Sequence, residues 1–498
     1  MPAASQKSVV EGTAPAPAVR VLRAVRGNPL LERGLRALVL ETRRPTPFND
    51  PDVLSAFIDH DEYAGPGAEP HLLAAVDGER LVGFLPLRWT SARVAGITER
   101  KLEFFVTHDA DRPDLVARPA DEARCARAFR EALLATRGWS VLELANLEPC
   151  SALLPADGER IPGVHARVRD GLPTAIIPTA QPDLAAWYGA LKKGWKHTVA
   201  RLGRRFLSAG TVELVTCRDP RGRGPLLELY LDVERRSWKR EHGVARHPAR
   251  LALHRELCRP DQALALSFQL LLLDGAAVSG FVFGEYAGTL YGFEICYDAA
   301  FQALGPGNLM SLLSAGEAIA RGKPSLNLFA DYAYYKGNWG AEVLPTRTLQ
   351  LFRRGSVHWA KAHLGDLRRA LSRGEGGEGR QNPVKAQVDE AREAGPEKPE
   401  AKAEPAAPDR AAERALTGRI LAELEAAGVT LERVAGPALE AILPFAAAPE
   451  KKPPEQKPPE QRMPPGQGAP CSWRPWLPPS PSRPGSGCPT ENSRPEMP

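Results

Sequence analysis

The stretch LLLLDGAAVSGFVFGEYAGTLYGFEICYDAAFQALGPGNLMSLLSAGEAIARG, residues 270–322, decides how the chain folds. Asp274-Gly275 splits its apolar runs, and Asp-Gly between such runs marks a hairpin because both turn residues tolerate positive φ. The spacing predicts a three-stranded meander over 264–297. Gly-Pro-Gly then opens a helix over 307–321, which Gly322 stops. Strands over 325–329 and 346–353 complete the half. Ahead of the meander the pattern predicts a helix over 183–209, a strand over 211–216 and helices over 226–240 and 248–258. A meander followed by a helix and a further strand is a mixed α/β (α+β) arrangement.

The same order occurs far earlier in the chain. LLAAVDGERLVGFLPL (72–87) and QLLLLDGAAVSGFVFG (269–284) each read strand, Asp-Gly, strand, with a Gly-Phe pair following at the same offset. FREALLATRGWSVLELANL (129–147) and SAGEAIARGKPSLNLFAD (314–331) each read helix, Arg-Gly stop, strand. Two echoes in one order predict tandem related domains, at 20–180 and 181–372, behind a flexible lead at 1–19. About half of the 48 prolines fall after Ser372, with the direct repeat KPPEQ-KPPEQ at 452–461. Such a composition buries too little apolar surface to offset ordering, so 373–498 reads as a disordered Pro-rich tail. It holds one short helical pattern, 409–427, whose partner the sequence does not name.

The 498 residues exceed what one core organises. A net charge of +5 gives no global field for nucleic acid. Seven scattered cysteines, with no CxxC pair, suit a reducing compartment. The N-terminus lacks a signal-peptide pattern, and the most apolar stretch, 264–283, breaks at its hairpin instead of spanning a bilayer. A cytoplasmic protein without a membrane span is the expectation. There is no HExxH, Walker A, Rossmann or GxSxG pattern, and His254 with Cys258 lacks a third ligand, so no metal is expected.

The second half resembles the FemAB-like and CelD-type acetyltransferases of the GNAT superfamily. The segments that carry the resemblance, in order, are WYGALKKGWKHTVARLGRRFLSAGTVEL (187–214), LELYLDVERRSWKREHG (227–243), the opening stretch, and LNLFADYAYYKGNWGAE (326–342). In the first half, PFNDPDVLSAFI (47–58) and GFLPLRW (83–89) fit as well. A coiled-coil arm between the halves, present in peptidoglycan FemAB enzymes, has no counterpart. The resemblance implies two tandem GNAT-like domains and transfer of an acyl group from acetyl-CoA or another acyl-CoA to the amine of a small-molecule or glycan acceptor, in cell-envelope or polysaccharide metabolism. It leaves two alternatives: an aminoacyl-tRNA donor serving a cell-wall precursor, and an inactive scaffold working through its tail. Oligomeric state is left open.

Gly305, Gly307, Asn308 and Leu309 precede a helix, where free N–H groups and the helix dipole favour an anion; the resemblance implies the phosphates of CoA there. The alternative is a tight turn before a Pro-started helix. Lys336, among the aromatics of YYKGNWG with Tyr335, is the candidate stabiliser of a developing oxyanion, and Asp331 and Asp298 are candidate bases. A solvated loop lysine and a turn-capping aspartate are the competing readings. Direct attack on a thioester needs no protein nucleophile. The acid-free run with Lys193, Lys196, Arg201 and Arg204 is a candidate acceptor-binding face, as is Trp238; a solvated helix face and a core tryptophan are their alternatives.

Overall fold

The computed structural model describes residues 15–61, 68–94, 96–106, 110–156, 158–330, 334–372 and 410–445. The lead over 1–14, Asp331 and the KPPEQ repeat lie outside the described residues.

Two eight-stranded mixed sheets carry the fold. In the first, the path is β1 (Ala18–Leu22), β2 (Glu69–Asp77), β3 (Arg80–Val94), β4 (Ile97–Phe104), β6 (Val141–Leu147), β15 (Arg347–Arg353) and β7 (Val164–Asp170), with β5 (Val116–Ala117) beside β3. In the second, it is β14 (Glu342–Leu344), β8 (Thr174–Pro178), β13 (Ser325–Ala330), β12 (Thr289–Tyr297), β11 (Ala276–Tyr286), β10 (Ala265–Leu273), β9 (Val212–Cys217) and β16 (Glu432–Ala435).

The internal echo is a structural repeat. In each sheet a meander, β2-β3-β4 or β10-β11-β12, is followed by a helix, α3 (Glu122–Ala135) or α8 (Pro306–Ala320). That helix returns the chain to a strand parallel to the last meander strand, β4 with β6 and β12 with β13. At the second hairpin Asp274 and Gly275 both have positive φ, 50° and 80°, as the Asp-Gly signal requires.

The expected domain boundaries change in three places. β8 belongs by sequence to the first half yet pairs with β13 and β14 in the second sheet. β15 belongs to the second half yet lies between β6 and β7 in the first. Two of the crossings between sheets, from β7 to β8 and from β14 to β15, run side by side. Gly171 N–H donates to Thr346 O at 3.0 Å, and a Cβ at Gly171 would fall 2.5 Å from Thr346 Oγ1, so only glycine allows this approach. Strand periodicity tells which face is buried but not which strand lies alongside, and that is why the exchange escapes the sequence.

The third change concerns the segment assigned to the tail. After the helices α9 (Tyr334–Asn338) and α10 (Val357–Ser372), residues 410–445 form a further helix, α11 (Arg410–Ala426), then β16 and a helix over Gly436–Ile442. β16 extends the second sheet by pairing with β9. Leu421, Leu424, Leu443 and Phe445 are buried in the cores. The Phe445 ring rests directly on Gly203 of α5 (Lys193–Leu207). The Pro-poor composition of this island is what lets it bury apolar surface where its surroundings read as unable to.

The expected long helix over 183–209 is two helices, α4 (Leu184–Ala190) and α5, and the helix over 226–240 is α6 (Arg223–Arg235). One core cluster joins the halves. α1 (Pro29–Leu40) and α2 (Pro51–Asp59) pack with the second sheet, and Phe48 sits among Tyr291, Phe293 and Phe329 at centroid distances of 5.8, 6.5 and 5.8 Å.

Candidate active site

β12 and β13 run parallel and pair only at Leu290–Leu326 and Tyr291–Asn327 before they diverge. Two irregularities part them. In β12 the register against β11 slips by one at Phe293, so Phe293 and Glu294 point to the same face, as a β-bulge dictates. In β13 Phe329 has φ 61°, off the extended path. Its N–H is taken by Asn327 Oδ1 at 2.8 Å in place of a ladder partner, and Asn327 Nδ2 donates to buried Asp111 of the first half at 2.8 Å. The first half carries a similar feature: Asn146 in β6 has φ 58°.

A cavity of ≈ 730 Å³ occupies the opening. Phe281, Ile295, Leu326, Leu328 and Trp339 line it from one face of the second sheet, and Phe293, Glu294 and Phe329 from the other. A single cavity reaches both faces because it passes between β12 and β13. Gly292 lies in this passage, where a Cβ would meet Phe281 Cζ at 2.8 Å and Leu328 Cδ2 at 3.0 Å. The first sheet closes one side with Arg88, Glu103, Glu143 and Asn146.

On that side the turn after α6 contributes Trp238, Lys239 and His242. Trp238 is 61 % exposed, and Lys239 Nζ lies 2.7 Å from Glu294 Oε2. Arg250, in α7 (Pro248–Leu257), pairs with the other carboxylate oxygen. Burial alone would push the Glu294 carboxyl up, but Lys239 and Arg250 outweigh it and hold it below its ordinary range. Burial opposes the Lys239 charge too, yet Glu294 keeps its pKa raised. The opening is therefore floored by a fixed, charged cluster. On the first sheet, Arg88 bonds Glu103 and Asp61, and Lys101 joins Glu103 to Glu143, a ladder of alternating charge over β3, β4 and β6.

Of the residues singled out from sequence, Trp238 and Lys336 line this cavity. Lys336, in a short helix over Tyr334–Asn338, is buried, and its Nζ donates to Leu328 O at 2.8 Å and Ala330 O at 3.4 Å. Its ammonium thus ties the end of β13. The side chain of Tyr335 lies outside the described residues, as does Asp331. Asp298 is not a base poised at the opening. It is buried, caps the following turn through Ala300 N–H and pairs with Arg236 at 2.8 Å.

The 305–309 turn does not line the cavity among the described residues, although Ser311 and Ser314 of the helix it opens do. Its glycines answer to packing: a Cβ at Gly305 would lie 2.9 Å from Leu202 of α5, and one at Gly307 2.7 Å from Tyr297. Leu309 is core and Asn308 half-buried. On α5, Lys193 and Arg201 are exposed, Lys196 Nζ donates to Gly189 O, and Arg204 donates to Phe445 O. The basic face is therefore partly spent within the fold and stands away from the opening. Lys239, Glu294, Arg250 and His242 went unflagged. The signal for Glu294 was available: a lone carboxylate inside the apolar strand GFEICY.

Among the described residues no group of three or more His, Cys, Asp or Glu is placed to hold a metal, and no helix is long and apolar enough to cross a membrane.

Residues 194–337 match the acetyltransferase (GNAT) domain family. No curated protein sequence matches the chain. Among solved structures, the C-terminal domain of a putative lysylphosphatidylglycerol synthetase from Agrobacterium fabrum superposes with TM-score 0.41 at 14% identity, over 68% of this chain and 94% of that one. FemX gives 0.41 at 10%, over 63% and 94%. A tandem GNAT protein from the clavulanic acid biosynthesis pathway gives 0.35 at 16%, over 68% and 99%. None of the three is similar enough to carry an activity over.

Proposed function

We propose, on the match of residues 194–337 to the acetyltransferase (GNAT) domain family, that this protein moves an acyl group from an acyl-CoA thioester to an amine inside the opening between β12 and β13. The observation that supports this most is the passage itself. Past Tyr291, β12 has no strand pairing with β13, and an extended ligand bearing amides docks on such an unpaired strand edge as a strand does. The thioester supplies the activated carbonyl; everything else is the chain's own work.

The donor approaches from the α8 side, where the 305–309 turn and its helix dipole receive phosphates and Ser311 and Ser314 continue the path inward. The amine enters from the side of Trp238 and the first-sheet ladder. It must be neutral to attack, and His242 is the cavity-lining imidazole suited to take its proton. A C–N bond forms, the C–S bond breaks, and the departing thiolate takes up a proton. The Lys239 ammonium, held charged by Glu294, favours the negative charge that gathers on the carbonyl oxygen.

Calorimetric titration with acetyl-CoA, together with thiol release against a panel of amines and amino sugars, tests the reading. Saturable binding and amine-dependent thiol release are expected. Retention of aminoacyl-tRNA with no affinity for CoA overturns the donor, and absence of both overturns the activity.

A further inference from the structure

α11 follows β15 by many residues, yet its first turns contact the turn between β12 and α8, the end of α6 and the start of β11. The Arg410 guanidinium lies 4.7 Å from the centroid of Phe301, in the turn between β12 and α8. Glu413 Oε1 lies 3.3 Å from Arg236 Nε, at the end of α6. Ala277 N–H, at the start of β11, donates to Thr417 Oγ1 at 3.3 Å.

Arg236 is the hub of this contact. It also pairs with Asp298 and Asp232 and donates to Ala277 O at 3.1 Å. The residues that follow it form the wall of the cavity. Ser237 bridges to Asp298 and accepts Lys239 N–H on its Oγ at 2.9 Å. His242 and Gly243 N–H both close on Lys239 O, at 2.8 and 2.6 Å. Trp238, Lys239 and His242 therefore hang from a tight turn whose anchor is the Arg236 side chain.

We propose that Arg410, Glu413 and Thr417 are positioning residues, which fix the 237–243 turn and so the acceptor side of the active site. None of the three lines the cavity, so they act only through Arg236 and its neighbours. Holding α11 on the body is a separate task, carried by Leu421 and Leu424 in the core and, further on, by β16 and Phe445. The polar first turns are thus free to serve another end. Three carboxylates share one guanidinium there, so Arg236 cannot swing away without stranding acids in a desolvated place. The naming of this wall as the acceptor side rests on the acyl-transfer reading; the mechanical link does not.

The test is hydrogen exchange on the full chain carrying Arg410→Ala with Glu413→Ala, a change that leaves the apolar seat of α11 intact. Amides over 239–243 are expected to exchange about tenfold faster, with the melting temperature shifted by only about 3 °C. Glu413→Gln, which keeps an oxygen for Arg236, is expected to restore most of the protection in the Arg410 wild-type background. Unchanged exchange over 239–243, with faster exchange confined to 410–417, overturns the proposal and leaves α11 a cover alone. If the double variant does not fold, Thr417→Val removes one hydroxyl and is read in the same way. Kinetics add a second readout: the KM for the amine rises about tenfold while donor affinity holds. Exchange needs no substrate, so failure of the link and failure of the acyl-transfer reading are told apart.

Discussion

Lys239 Nζ sits 2.7 Å from Glu294 Oε2, and Arg250 occupies the carboxylate's other oxygen, so two cations share one buried acid at the floor of the opening. Removing the acid strands both. Glu294→Ala is expected to cost about 3–5 kcal/mol of stability, far more than the pair contributes over a well-packed apolar replacement. Urea unfolding of the variant beside the parent gives the value, and a loss under about 1 kcal/mol would mean that water reaches the cluster.

The same carboxyl sets a pH dependence. Folding holds Glu294 below its ordinary value of 4.5, because Lys239 and Arg250 outweigh burial. A carboxyl depressed on folding contributes its stability in full above the unfolded pKa and loses it as pH falls through the folded one. The urea midpoint is therefore expected to decline as pH drops below about 4.5, and to decline less steeply in Glu294→Gln.

Gly292→Val places a branched side chain in the passage, against Phe281 and Leu328. Acetyl-CoA affinity is expected to fall at least about tenfold, with the far-ultraviolet spectrum retained. Equal affinity in calorimetry would locate the donor elsewhere than between β12 and β13.

Lys336→Met removes the ammonium that holds Leu328 O and Ala330 O. Because the shape of β13 is at stake as well as charge, donor affinity and turnover are expected to drop together, alongside a stability loss of about 1–3 kcal/mol. A fall in kcat alone, with affinity and melting unchanged, would instead give Lys336 a part in the chemistry only.

Phe445→Ala empties the site over Gly203 and is expected to cost about 3 kcal/mol. A chain ending at residue 409 also loses Leu421, Leu424 and the strand on β9, and is expected to melt at a lower temperature or to aggregate. Thermal scans of both decide it; an unaltered transition in the shortened chain would mean that 410–445 adds nothing to the core.

What was legible in the sequence was whatever is local. The Asp-Gly hairpins, the glycine-stopped helices and the tandem order are written in runs of ten to twenty residues, where periodicity and turn chemistry act. Lys336 stood out as a lysine among aromatics, and Trp238 as a tryptophan in a segment that carries the resemblance. The Phe293 bulge left no mark, since a slip of one residue depends on the neighbouring strand. Lys239 and Arg250 carry no local mark of a buried partner, and only the packing of α6 and α7 brings them onto Glu294. The exchange of β8 and β15 was invisible for the same reason, and of 410–445 only the helical pattern at 409–427 was legible, its seat on the second sheet being a long-range contact.

That exchange bears on how the molecule comes to exist. β6 and β7 leave the ribosome long before β15, the strand that must lie between them. Until residue 353 is made, the first sheet is a split with two unsatisfied edges, and until 435 the β9 edge of the second is bare as well. The first sheet cannot close before residue 353 is made, nor the second before 435, so both seams close only after most of the chain is present. The nascent protein thus spends most of its translation with open strand edges, the surface on which chains pair wrongly with one another.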